Sequence, residues 1–340
     1  MNGRKLVAFG LVLSFFLMFL AGCAGGKLEK GKNGPQKVPL AERETEALDI
    51  NALTAQWAES SHSNILLSPA QRDDCVLCHD GGAFAANQSE IGELDRDFNV
   101  SIDCRACHTG RGVDLMETGT VDIPSADNVK GGTGALCMSC HNSRRVGDVK
   151  DAERSAPHYS SQADVFTATG GIRAEDFNYG STGAHAGIEN SCVGCHLAET
   201  KEGFASHTFK VESVQAACGQ CHQGITETNL AAGGDYDGDG DKEGLQSEVE
   251  GLLSLVAEAV KEKTGGGEIS SAHGSVVITN ANGEEMEEIP DEIYQAAYNY
   301  LLVSSDGSLG IHNPTYAVQL LQQSYKWLTG KDVPGADRKQ

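Results

Sequence analysis

The chain has 340 residues, of which 41 are Gly and only 6% are aromatic. This Gly content is about 12%, against roughly 7% in average proteins, and predicts many loops and few bulky core side chains. Asp and Glu outnumber Lys and Arg by 48 to 26, giving a net charge of −22. Such a charge argues against nucleic acid as a partner and favours cationic or metal-bearing partners.

Residues 1–22 have the pattern of an export signal. Arg4 and Lys5 precede an apolar run over residues 6–20, and Leu20-Ala-Gly-Cys23 follows at once. This pattern resembles the bacterial lipoprotein signal, in which the residue matching Cys23 is lipidated. The apolar run is shorter than the roughly 20 residues that a membrane-spanning helix needs, so lipidation is preferred over a spanning anchor. We expect a lipid anchor and tether over residues 23–50, on the outer membrane, facing the periplasm or the cell surface.

One pentapeptide pattern, Cys-x-x-Cys-His, accounts for every cysteine except Cys23. It occurs five times, starting 29, 33, 55 and 26 positions apart. The five copies are Cys75-Val-Leu-Cys78-His79, Cys104-Arg-Ala-Cys107-His108, Cys137-Met-Ser-Cys140-His141, Cys192-Val-Gly-Cys195-His196 and Cys218-Gly-Gln-Cys221-His222.

The spacing of this pattern suits covalent haem attachment. Two thiols three positions apart can each form a thioether with one haem vinyl group, and the next His reaches the iron. Zinc ribbons need two Cys-x-x-Cys pairs some 15 to 20 residues apart, which these pairs are not. A disulfide framework needs no trailing His, and a thioredoxin-like motif would occur once, in a βαβ setting.

On these motifs, the chain resembles the multihaem c-type cytochromes over about residues 55–328. The resemblance implies five haem c groups anchored by the ten cysteines, with His79, His108, His141, His196 and His222 as proximal iron ligands. It also implies a mainly α fold with extensive irregular loops. A haem stack would form its core over residues 51–243, and a helical region would occupy residues 244–340.

Six further histidines are candidates for the distal ligands, and five are needed if every iron has two His ligands. The preferred five are His62, His158, His185, His207 and His312. His273 has the loosest sequence context and is the spare candidate. Methionine is the other common sixth ligand. Outside the signal and the motifs only Met116 and Met286 remain, so we expect low-potential haems with two His ligands throughout.

An acidic loop follows the last motif. It matches part of the pattern of a calcium-binding loop. Positions 1, 3, 5 and 7 of that pattern are Asp235, Asp237, Asp239 and Asp241, and position 6 is Gly240. Position 12 is Gln246 instead of the bidentate Glu. The sequence therefore leaves two readings open, a weak calcium site and a plain solvated loop.

The region from residue 244 onward has helical periodicity. Leu245, Val249, Leu252, Val256 and Val260 recur on one face of a predicted helix. Two more helices are predicted, near residues 290–303 and 313–328, where Asn313 and Pro314 suit a helix start. The segment HNPTYAVQLLQQS resembles the C-terminal helix of pentahaem ammonia-forming nitrite reductases and related cytochromes, in which the matching His ligates a distant haem. We therefore expect this region to return His312 to the haem domain.

These features predict an electron carrier. Its expected partners are other cytochromes, a porin or an extracellular acceptor, and its only contact with the membrane would be the N-terminal lipid. Two alternatives remain open. A reductase of nitrite or hydroxylamine would need one open iron, which that family commonly marks with Lys in place of His in one motif. A subunit of a haem filament or conduit complex is the other.

Overall fold

Short helices separated by irregular loops form the first part of the fold. The computed structural model describes residues 49–201 and 203–338. The predicted signal, the lipidation site Cys23 and nearly all of the tether lie outside these residues. The helices are α1 (Ile50–Glu59), α2 (Leu67–Ala70), α3 (Val76–His79), α4 (Gly81–Ala86), α5 (Cys104–His108), α6 (Arg111–Thr118), α7 (Ala135–Met138), α8 (Gln162–Thr167), α9 (Gly183–Ala186), α10 (Cys192–His196) and α11 (Val214–Cys218).

Two small antiparallel hairpins interrupt the helices. The first pairs β1 (Thr120–Ile123) with β2 (Ala126–Lys130), and its register shifts between Val121 and Ile123. The second pairs β3 (Ile269–Ala272) with β4 (Ser275–Ile278). Its turn needs a left-handed backbone, with φ of 53° at His273 and 84° at Gly274. This second hairpin is tied to an earlier segment, because the Ala156 amide donates to the Gly274 carbonyl at 2.8 Å.

Three longer helices form the C-terminal region. They are α12 (Leu245–Thr264), α13 (Asp291–Asp306) and α14 (Pro314–Thr329). The Asn313 side chain accepts a hydrogen bond from the Tyr316 amide and caps α14, while Pro314 occupies its first turn. These helices confirm the helical C-terminal region expected from the sequence.

The main apolar core lies among these three helices. The periodic side chains of α12 at positions 249, 252, 256 and 260 are all fully buried. They pack in one cluster with Tyr294, Tyr298, Leu302, Tyr316 and Leu320. A second, smaller cluster contains Val121, Ile123, Val129, Ala135, Met138 and Ala163. Buried apolar side chains are thus concentrated among the C-terminal helices. This agrees with the expected fold class, which is mainly helical with irregular loops and little apolar core around the motifs.

The described residues from Asp49 onward form one compact unit. The domain boundary expected after residue 243 lies inside this unit and stays a prediction. No helix among the described residues is long and apolar enough to cross a bilayer.

Candidate haem sites

The five motifs lie on or beside single helical turns. The His of the first, second and fourth motifs is the last residue of α3, α5 and α10. The third motif starts in α7 and the fifth at the end of α11, and both continue into turns. On a helical turn, residues three apart lie on the same face. The two cysteines of a motif can therefore reach the same ring.

The structure brings each proximal His close to one of the five preferred distal candidates. The ring centroids of the five pairs are 6.0 to 6.3 Å apart. We number the sites by motif order. The pairs are His79 with His158 (site 1), His108 with His207 (site 2), His141 with His62 (site 3), His196 with His312 (site 4) and His222 with His185 (site 5).

This separation fits one iron between two imidazoles. A metal–imidazole nitrogen bond is about 2.0–2.1 Å long, so two rings on opposite sides of a metal have centroids about 6.3 Å apart. Ordinary aromatic pairs also have ring centroids about 4.5–7 Å apart, so this distance is compatible with ligation but does not by itself select it. The specific feature is that each proximal His faces a different one of the five preferred distal candidates. The individual ligand assignments remain predictions, taken up under the proposed function.

Hydrogen bonds orient most of these rings. The Nδ1 atoms of His185, His196 and His207 donate to the backbone carbonyls of Ile311, Phe209 and Ala205, at 2.7, 3.0 and 2.8 Å. A carbonyl can only accept, so Nδ1 carries the proton and the lone pair of Nε2 is free for a metal.

Two more rings use side-chain partners. His158 Nδ1 lies 2.7 Å from Ser160 Oγ, and His141 Nδ1 lies 3.2 Å from Gln162 Oε1. The Ser160 hydroxyl donates to the Asn142 carbonyl, so it can accept from His158. These contacts leave Nε2 of both rings free to face the site.

Burial keeps several of the imidazoles neutral. Burial, with the nearby His141, lowers the pKa of His62 to about 4. Burial, with the Arg144 guanidinium and His79, lowers the pKa of His158 to about 4. Burial also lowers the pKa of His141 and His196. Neutral imidazole is the form that binds a metal, so these rings need no deprotonation before ligation at neutral pH.

His312 differs from the other distal candidates because its partner is a carboxylate. Its Nδ1 lies 2.5 Å from Asp306 Oδ1, and the Asp306 side chain is fully buried. Burial opposes charge on the ring, but the hydrogen bond and negative charge of Asp306 raise the pKa of His312 above its ordinary value. A buried carboxylate behind a ligand His increases the basicity of that ligand. Asp306 therefore increases the donor strength of His312 toward a metal.

The helix start of α14 fixes the position of His312. The Asn313 side chain donates to the Phe166 carbonyl at 3.1 Å and accepts from the Thr182 amide at 2.9 Å. It thus joins α8, the segment before α9 and the start of α14. Because His185 donates to the carbonyl of Ile311, the distal candidates of sites 4 and 5 share one anchor.

Contacts between cysteines show which sites are neighbours. The Cys140 thiol is the main cause that lowers the pKa of Cys78, so site 1 lies beside site 3. The Cys192 thiol is likewise the main cause that raises the pKa of Cys137, so site 3 lies beside site 4. Burial raises the pKa of Cys195, and the nearby Cys218 and Cys221 of site 5 add to this shift. Cys107 of site 2 similarly raises the pKa of Cys137 in site 3, after larger effects of Cys192 and burial.

Phe209 connects three of the sites, and nothing in the sequence indicated this role. Its ring lies 4.6 Å from that of His62 and 6.1 Å from that of His207, edge-on to both. Its carbonyl accepts from His196. Its backbone is left-handed, with φ of 58°, which is uncommon for an aromatic residue. Phe209 therefore lies at the junction of sites 2, 3 and 4.

The spare candidates have other positions. His273 is exposed at the turn of the second hairpin and lines a cavity of about 450 Å³ with His79 and His158 of site 1. Met286 packs against the main apolar core. Met116 is a partly buried residue of α6.

The acidic loop gathers three of its four predicted carboxylates. Oxygen atoms of Asp235, Asp237 and Asp239 lie within 4.8 Å of one another, and this group does not include Asp241. Burial raises the pKa of Asp237, and the neighbouring carboxylates add to it. The buried Glu248 accepts the Tyr236 and Glu243 amides at 2.6 and 2.9 Å, so it shapes the loop instead of completing a ligand set. Calcium binding stays a prediction.

The comparisons with known proteins agree with the haem chemistry. The family model described as cytochrome c552 matches residues 159–331, just over half of the chain. The chain belongs to the cytochrome c552 family. This cytochrome is therefore a multihaem c-type cytochrome, with covalently bound haem c and a role in electron transfer.

A solved structure shares the fold of this cytochrome. The crystal structure of the outer cell wall cytochrome OcwA superposes with a TM-score of 0.51 at 20% sequence identity. The match covers 82% of this chain and 50% of the OcwA chain, so the cytochrome spans about half the length of that protein. The comparison with curated proteins found no match.

Proposed function

We propose that the cytochrome binds five haem c groups, each ligated by two histidines, and acts as an electron carrier. The observation that carries this proposal is the set of five His pairs with centroids 6.0 to 6.3 Å apart. Together the pairs use all eleven histidines of the chain except His273. Two protein ligands on every iron would leave no coordination position for a substrate, which suits electron transfer.

The neighbouring sites define a route for the electrons. Sites 1, 3 and 4 follow one another through the neighbouring thiols Cys78–Cys140 and Cys137–Cys192, and site 5 follows because Cys218 and Cys221 lie near Cys195. Site 2 adjoins this series at Phe209 and Cys107. In the proposed arrangement, sites 1 and 5 are the ends of the series and site 2 is a branch. The cytochrome therefore offers three terminal haems for exchange with partners.

Mass spectrometry and spectroscopy test the haem count and the ligation. Intact mass of the matured protein is expected to exceed the polypeptide mass by five haems. Electron paramagnetic resonance of the oxidised protein is expected to show low-spin iron only. Replacing His312 by Ala should convert one fifth of the iron to high spin, while His273→Ala should convert none. Fewer than five haems, or high-spin iron in the unmodified protein, would contradict the proposal.

The cytochrome c552 family includes nitrite reductases, so carrier and reductase must be separated by experiment. All five motifs end in His, and a distal candidate faces each one. We expect the resting protein to bind neither nitrite nor cyanide rapidly, because both need an open iron. Rapid binding with a change in the absorption spectrum would favour the reductase.

The location and partners are also proposals, and they rest on the sequence. The signal pattern ending at Cys23 supports export and lipid anchoring, and the net charge of −22 supports cationic or metal-bearing partners. Other cytochromes, a porin complex or an extracellular acceptor would suit such a carrier. Replacing Cys23 by Ser should release the cytochrome from the membrane fraction. Filaments of purified protein in electron microscopy would favour the filament alternative.

A further inference from the structure

The cavity beside site 1 is entirely cationic or neutral, although the chain is strongly acidic. Three arginines line it, Arg72, Arg144 and Arg145, together with Tyr159 and others. None of the residues that line the cavity is Asp or Glu. With 48 acidic residues against 26 basic ones, a cavity that collects three guanidinium groups without a carboxylate is an unusual arrangement.

The three arginines lack carboxylate partners within the described residues. Four arginines, Arg96, Arg105, Arg154 and Arg338, pair with Asp80, Asp103, Asp291 and Asp332, whereas Arg111 and Arg173 bind neutral acceptors. The guanidinium groups of the cavity also form no ion pair within residues 49–201 and 203–338, although Arg145 lies near enough to Asp151 to interact with its charge. Arg145 only donates to the Gly274 carbonyl, at 2.5 Å. A guanidinium group is always charged and has a fork of donors that matches a carboxylate, so this cluster can bind an anion.

The backbone at Arg144 adopts a strained conformation. Arg144 has a left-handed backbone, with φ of 55°, and its amide donates to Asn142 Oδ1 at 3.0 Å. A glycine would adopt this conformation without strain, but it would bring no charge. Arg144 lines the same cavity as His79 and His158. Arg144 therefore lies beside both proposed ligands of site 1.

The second hairpin forms one wall of the cavity. Arg145 holds Gly274, and the Tyr159 hydroxyl lies 2.8 Å from Ser271 Oγ. A side chain at position 274 would collide with the Arg145 guanidinium, because a Cβ there would lie only 2.1 Å from Nη1. Glycine at position 274 thus lets the hairpin approach the arginine.

We propose that Arg72, Arg144 and Arg145 bind the two carboxylate side chains of the haem attached at site 1, and that their charge raises its reduction potential. This inference rests on the proposed function, because it needs a haem at site 1. A haem has two carboxylate side chains, which match the donors of the guanidinium groups. Positive charge near an iron favours the ferrous state over the more positive ferric state.

The test follows the site 1 haem separately from the other four. Replacing His158 by Ala is expected to make the site 1 iron high spin, which marks this haem in the spectrum. In that background, Arg144→Gln, Arg145→Gln and Arg72→Gln should each shift the ferrous-to-ferric ratio of the high-spin component about threefold to tenfold toward ferric. For a one-electron couple this equals a fall of about 28 to 59 mV in midpoint potential.

A matched control removes the same charge elsewhere. Arg338 is exposed, pairs with Asp332 and does not line the cavity. Arg338→Gln should leave the high-spin component unchanged. If all three cavity variants retain five haems by mass and behave like the control, the inference is wrong while the proposed haem count stands. If His158→Ala produces no high-spin iron, the site 1 ligation itself fails.

The alternative ligand for these arginines is a free oxyanion instead of the haem carboxylates. Adding inorganic phosphate distinguishes the two ligands. Haem carboxylates are covalently part of the site, so adding phosphate to the His158→Ala cytochrome should not change the ferrous-to-ferric ratio of the high-spin component. A saturable phosphate-dependent shift that Arg144→Gln abolishes would overturn the assignment to the haem carboxylates.

Discussion

The pair between Asp306 and His312 leads to a quantitative prediction. Replacing Asp306 by Asn removes the negative charge and keeps a group that can accept a hydrogen bond from Nδ1. In the proposed ligation, the negative charge would stabilise the ferric state of an iron bound by His312. We therefore expect Asp306→Asn to raise the reduction potential of one haem.

The magnitude follows from the distance. With Nδ1 and Oδ1 2.5 Å apart, the carboxylate lies about 6 to 7 Å from an iron bound at Nε2. At an effective dielectric constant of about 20, one unit charge at this distance is worth about 2.5 kcal/mol. This corresponds to roughly 110 mV for a one-electron couple, at about 59 mV for each tenfold change. Partial sharing of the proton between Nδ1 and Oδ1 reduces the charge difference, so we expect a rise of about 60 to 110 mV.

A spectropotentiometric titration, resolved into five one-electron components, measures the shift. One component should move upward and the other four should keep their potentials. Glu248→Gln is the matched control, because Glu248 is equally buried but accepts only backbone amides of the acidic loop. If no component of Asp306→Asn moves, or if the control moves equally, the reasoning from charge is refuted.

Three further predictions concern stability, calcium and the spare histidine. Asp80 is fully buried and ion-paired, so Asp80→Asn should lower the free energy of unfolding in urea by about 3–5 kcal/mol, whereas Asp332→Asn, at an exposed pair, should cost less than about 1 kcal/mol. Burial raises the pKa of Asp80, but its hydrogen bonds to Arg96 and to backbone amides lower it further, so the pKa lies below the ordinary value. Its stabilisation should therefore be complete above an ordinary carboxyl pKa of about 3.9 and lost as the pH falls through the lower folded-state pKa. Calorimetric titration of the holoprotein should show weak calcium binding that Asp235→Asn reduces at least about tenfold and Asp241→Asn reduces less. His273→Ala should leave the spectrum of the oxidised protein unchanged, and high-spin iron in this variant would show that His273 is a ligand.

The attachment chemistry could be predicted because it is local. Two thiols and one imidazole within five residues occupy one helical turn, so their relative positions depend on little beyond the motif. The C-terminal helices could also be predicted, since the periodicity of α12 and the cap at Asn313 are local signals too. The structure places all three helices within a few residues of the expected bounds.

The pairing of ligands could not be predicted from spacing. His62 faces a proximal His 79 positions later, and His207 faces one 99 positions earlier. Such partners are decided by how the loops pack, and loop closure over these lengths differs in entropy by only a few tenths of a kcal/mol. Sequence distance therefore contains little information about which ring faces which.

Asp306, Phe209 and the arginines of the site 1 cavity were missed for a related reason. Each acts through a contact that exists only after folding. Asp306 did leave a signal, because an acidic residue in the last turn of a helix opposes the helix dipole. Its position six residues before a candidate ligand His suggests that the charge serves the ligand. Phe209 and Arg144 have left-handed backbones, which sequence alone does not reveal.

The position of His312 near the end of the chain affects the order of assembly. In the proposed ligation, the distal ligand of site 4 is His312, which is synthesised 116 positions after the proximal His196. A polypeptide cut short anywhere in α13 would still carry all ten anchoring cysteines, yet it would lack the group that closes the iron at site 4. Such a truncated product would also lose the Ile311 carbonyl that orients His185 and the α14 side chains of the main apolar core, so sites 4 and 5 would both be affected.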